Sequence, residues 1–127
     1  MPQTKVKAVL DDVLNIDMGQ TVANTQRSGK WPAVERAYLR KHPVCAVCSG
    51  RKHVNAHHIL PFHLYPDREL DRDNLITLCR GPFNCHLLFG HLGDYKGFNP
   101  LVRADAEIWR FRLRARRALI RLSKESR

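Results

Sequence analysis

The sequence predicts an α+β domain: a small ββα core stapled by four cysteines, flanked by an N-terminal helix and a basic C-terminal helix. Three observations carry that prediction. Two cysteine pairs, Cys45-x2-Cys48 and Cys79-x5-Cys85, bracket the middle of the chain. Two short apolar runs with strand texture lie between them, and a helical pattern follows. Residues 103–124 then repeat apolar side chains at helical spacing without a break.

Taken in order, residues 1–30 read as an arm or a short helix, with Val6, Val9, Leu10, Val13 and Leu14 on one face. The texture changes at Trp31. Pro32 suits the first turn of a helix, and Val34, Ala37, Tyr38 and Lys41 follow at helical spacing. Pro43 ends it, because the residue before a proline disfavours helical geometry. Trp31 and Tyr38 suit packing beneath the centre, with stacking on bases as the alternative. Val44 to Gly50 forms a tight CxxC turn. Residues 53–60 alternate as a strand that stops at Pro61. Residues 61–73 form a charged, Ω-like loop, and Leu75–Leu78 is the second strand. After Gly81-Pro82 a helix starts around Asn84 and carries His86. The three parts expected are therefore an arm (1–30), a central domain (31–100) and a basic helix (101–127).

The last helix is the most legible. Asp105 and Glu107 sit near its start and basic groups fill the rest, which suits the helix dipole. Ile108, Phe111, Ala115, Leu119 and Leu122 form an apolar stripe. Arg110, Arg114, Arg117 and Arg121 form a second line that can track a phosphate backbone.

The chain has 127 residues, 43% hydrophobic, enough for one modest core that gains from a metal staple. The formal net charge is +10. Residues 101–127 hold nine basic and three acidic groups, so more than half of the excess lies there. Such a balance points to a polyanionic partner, nucleic acid first. No apolar run approaches the ~20 residues that span a membrane. The first residues lack the pattern of a signal peptide, so a cytoplasmic protein with reduced thiols is expected.

All four cysteines and six of the seven histidines fall within Cys45–His91. Cysteine pairs in reducing surroundings favour a tetrahedral metal, zinc, over disulfides. Adjacent strand residues face opposite ways, so His57 and His58 cannot duplicate each other. One can ligate a divalent metal while the other takes a proton from water, a division that suits phosphodiester hydrolysis. A further histidine must complete the metal site, and His86 opens the following helix.

These residues resemble the HNH endonuclease family, of ββα-metal fold. The resemblance is carried by Cys45-x2-Cys48, Ala56-His57-His58-Ile59, Asn74 to Cys79 and Cys85-His86. It covers about residues 31–100. It implies His57 and His86 as ligands of a catalytic divalent ion (Mg²⁺, Mn²⁺, Ni²⁺ or Zn²⁺) and His58 as general base. It also implies Asn74 as the residue that steadies the loop between the strands, and a structural zinc on Cys45, Cys48, Cys79 and Cys85. His91, five residues after His86, is a further candidate ligand.

The expected activity is a one-metal DNA endonuclease of low sequence specificity, with His58, Asn74, His57 and His86 as its catalytic set. The rival is a zinc-stapled nucleic-acid-binding module without catalysis. A homo-oligomer or a larger nucleic-acid-processing assembly is a further possibility.

Overall fold

A computed structural model describes residues 26–126. The expected helix over Val6 to Leu14 lies outside them. The order is α1 (Trp31–Lys41), β1 (Val54–His58), β2 (Leu75–Cys79), a five-residue π-helical turn (His86–Gly90) and α2 (Val102–Glu125). Two single turns of 3₁₀ helix, Pro66–Arg68 and Arg72–Asn74, break up the loop between the strands. No helix among the described residues is long and apolar enough to cross a membrane.

The strands pair antiparallel, with His57 opposite Ile76 and His58 opposite Leu75. Regular pairing is shorter than the expected 53–60. His53 has a positive φ of 53°, and only single hydrogen bonds extend the ladder: Arg80 N–H to His53 O and Ile59 N–H to Asn74 O, both 2.8 Å. Both faces of this small sheet are covered. On one, Ala56 and Leu75 pack under α1 through Tyr38, with Trp31, Val34 and Leu39 around them. On the other, Ile76 and Leu78 join Val47, Cys45, Cys79, Cys85, Val102 and Ala106. Burial on two sides is why β2 reads as a continuous apolar run and is buried throughout. Leu75 and Leu78 are fully buried and each contributes about 1.5–3 kcal/mol.

Buried polar groups tie the layers together. The Tyr38 hydroxyl donates to Leu75 O at 2.9 Å, and the Arg103 guanidinium reaches the same oxygen at 3.3 Å. Thr77 Oγ1 donates to His42 O at 2.6 Å, fixing the end of α1 to the sheet. Only the start of α2 is core: Val102 and Ala106 are buried, and most of the rest projects into solvent.

Candidate metal centres and the histidine site

The CxxC turn is built by its backbone. Ser49 takes a positive φ of 63°, Ser49 N–H donates to Cys45 O, and Cys45 N–H donates to Gly50 O. Gly50 is needed there, because a Cβ would stand 3.2 Å from Cys48 Sγ. The five-residue insert between Cys79 and Cys85 folds back, so all four sulfurs lie within 4.8 Å of one another. Cys48 and Cys79 are 3.7 Å apart. That is too far for a disulfide at about 2.05 Å. It is the spacing of two sulfurs each about 2.3 Å from one tetrahedral ion. The hydrogen bond from Cys85 pulls the Cys45 thiol down to about 4, against the effect of burial, while the Cys85 thiol is pushed up. Four sulfurs so placed could hold a metal such as zinc.

The second cluster is histidine. His57 points from β1 toward the π-helical turn, where His86 and His91 meet it, and the three donor nitrogens lie within 4.8 Å. In an α-helix, residues five apart point about 140° away from each other. The wider winding of the π turn brings His86 and His91 to one side, with their Nε2 atoms 3.2 Å apart. Two nitrogens about 2.0–2.1 Å from a shared ion stand at such a distance. Asn84 starts the turn at φ 48°, its Oδ1 accepting from Leu87 N–H at 3.2 Å.

Several details fit a cation here. His91 Nδ1 donates to Gly97 O at 2.8 Å, which leaves its Nε2 with a free lone pair. His57 Nε2 is buried without a partner among the described residues. Burial, and then the neighbouring histidines, lower His57 to about 3. Burial and His91 lower His86 to about 4. Both are neutral near pH 7 and able to donate to an ion. Gly90 leaves room for the His57 ring: a Cβ would come within 3.0 Å of His57 Cε1 and 3.1 Å of Leu78 Cδ1. Gly90→Ala should therefore displace His57 and weaken divalent-ion binding about tenfold or more. Isothermal titration against the unaltered protein would measure it.

His58 lies on the opposite face of β1. Its Nε2 is 2.8 Å from Glu69 O, so Nε2 carries the proton and Nδ1 keeps the lone pair. Trp31 packs against the ring at 4.3 Å between centroids. Burial lowers its pKa, as does Arg27, while the bond to Glu69 opposes the shift. Asn74 is buried and spans the loop. Its Oδ1 accepts from Leu60 N–H at 2.8 Å, and its Nδ2 donates to Leu60 O and Arg68 O.

The residues singled out in sequence thus fall into three places: the cysteine cluster, the His57–His86–His91 cluster, and His58 with Asn74. Arg110, Arg114, Arg117 and Arg121 lie apart on α2, the last three exposed. Glu69, Gly90 and Tyr95 were not foreseen as site residues. Tyr95 rests against His91 at 5.1 Å and His86 at 6.1 Å. The signal for Gly90 was its place one residue before His91. Glu69 acts through its backbone carbonyl, which no side-chain pattern reveals. No protein-family model, curated protein or solved structure matches the chain.

Proposed function

We propose that this chain is a metal-dependent DNA endonuclease of the HNH type. The observation that carries the proposal is the convergence of His57, His86 and His91, with His58, whose Nε2 is held by Glu69 O, on the next residue of the same strand. One nitrogen from each of the three would hold a divalent ion. When bound, that ion supplies charge stabilisation to a phosphate oxygen and to the departing alkoxide. His58 Nδ1 takes the proton from the attacking water, its ring held by Glu69 O and Trp31. Asn74 keeps the Leu60–Arg68 loop in place and with it the carbonyl that orients His58. The arginines of α2 supply affinity that does not depend on sequence. The cysteine cluster, with zinc as its metal, holds the two ends of the hairpin.

The test is nicking of supercoiled plasmid with Mg²⁺, Mn²⁺, Ni²⁺ or Zn²⁺. Loss of one general base lowers such a rate by about 10²–10⁴, and we expect that of His58→Ala. Because His58 is held below its ordinary value of about 6.5, the base is neutral at pH 7 and the acid limb of kcat/KM should lie below pH 6.5. No nicking by the wild type under any of these metals, with DNA binding that survives chelation, would point to a binding module without catalysis.

A further inference from the structure

α2 carries two apolar faces, and the core uses one. Val102 and Ala106 are buried, and Trp109 meets Phe89 at 5.8 Å, which marks the core-facing side. Almost diametrically opposite, at 100° per residue, lie Ile108, Phe111, Leu119 and Leu122, with exposures of 53, 72, 67 and 59%. Contacts with phosphate do not cover such a stripe. Three of these recur in a heptad seam with small residues between them: Ala104, Ile108, Phe111, Ala115, Ala118 and Leu122 alternate in steps of four and three, and Leu119 flanks the seam.

We propose that this seam is the interface with a second copy of the chain, whose α2 packs antiparallel to it about a two-fold axis. The order of large and small side chains specifies this partner. When Phe111 faces the partner's Ala115, Ile108 faces the partner's Ala118 and Ala104 faces the partner's Leu122. Each layer then sets a large group against a small one, as interdigitating cores require. A parallel pair would oppose Phe111 to its own counterpart and Ala115 to its own, leaving bulges and gaps.

The same register also brings one pair of unlike charges together. Glu107 lies beside the partner's Arg121, and symmetry makes that pair twice. Arg112 and Arg114 each meet their counterparts near the axis, which costs some affinity. Arg117 stays exposed on the outer flank, open to a polyanion. The pairing does not depend on the hydrolase reading.

Sedimentation equilibrium on the intact, metal-loaded chain tests the proposal, with circular dichroism checking that each variant stays folded. The wild type should sediment at twice 14.7 kDa. Phe111→Glu, altering an exposed side chain, should give a folded monomer. Glu107→Arg should weaken the dimer about tenfold, and adding Arg121→Glu to it should restore the affinity. A wild type that stays monomeric at submillimolar concentration would overturn self-pairing and leave the stripe to an acidic partner of another kind. A dimer insensitive to Phe111→Glu would also overturn it. Failure of Arg121→Glu to rescue Glu107→Arg would sink the antiparallel register. Plasmid nicking reads the hydrolase proposal separately, so either can fail alone.

Discussion

With zinc on the four cysteines as proposed, replacing Cys85 with serine, or stripping the metal with a chelator, is expected to unfold the central module. Cys45, Cys79 and Cys85 are buried members of the main core, packed with Val47, Ile76, Leu78, Val102 and Ala106. Without a metal, the cluster offers the fold only the packing of small side chains, with thiols crowded together. Structural zinc sites supply about 10–16 kcal/mol of apparent binding energy at neutral pH. A domain of this size has a net stability of about 5–15 kcal/mol. A zinc held by these cysteines would supply a share comparable to the whole margin. The expected result is loss of the cooperative thermal transition and of one bound zinc per chain, read by circular dichroism and atomic absorption. A variant that keeps its melting profile without zinc would show that the cysteines act as ordinary small core residues.

Asn74→Ala should have the next largest effect, about 3–5 kcal/mol of stability. Three buried or half-buried backbone groups bond to that one side chain: Leu60 N–H, Leu60 O and Arg68 O. Alanine leaves both Leu60 groups without a partner, leaves Arg68 O only the Asp71 N–H at 3.4 Å, and opens space beside Leu60. Urea unfolding of wild type and variant gives the difference directly. The loop also carries Glu69 O, the acceptor for His58 Nε2, so the damage should reach the proposed base. At a temperature where the variant remains folded, nicking should fall while DNA affinity holds. A variant that loses affinity and rate equally would place Asn74 in general scaffolding alone.

Local chemistry made much of this legible in sequence. The Pro43 stop, the alternation around His57-His58 and the stripe on α2 are side-chain patterns with a fixed period, and the elements formed close to those positions. The doublet also divides as alternation requires, His57 toward the π turn and His58 toward Trp31. What was not legible depends on backbone. The expected helix after Asn84 is a π turn, and nothing in His-Leu-Leu-Phe-Gly announces wider winding. The role of Glu69 rests on a carbonyl oxygen that every residue type possesses. The strand begins later than expected because His53 leaves the extended region.

The π turn has a wider consequence. Histidines four apart on an ordinary helix share a face, and so do histidines five apart once the helix is wound one residue wider. Spacing and winding can therefore trade against each other at constant geometry. Removing one residue between His86 and His91, such as Leu88, should be tolerated if the turn relaxes to α-helix. Inserting one should not be, because no common helix would realign the rings. A search pattern that fixes the interval between ligands treats the first change as a loss of the site, although the three nitrogens could meet as before.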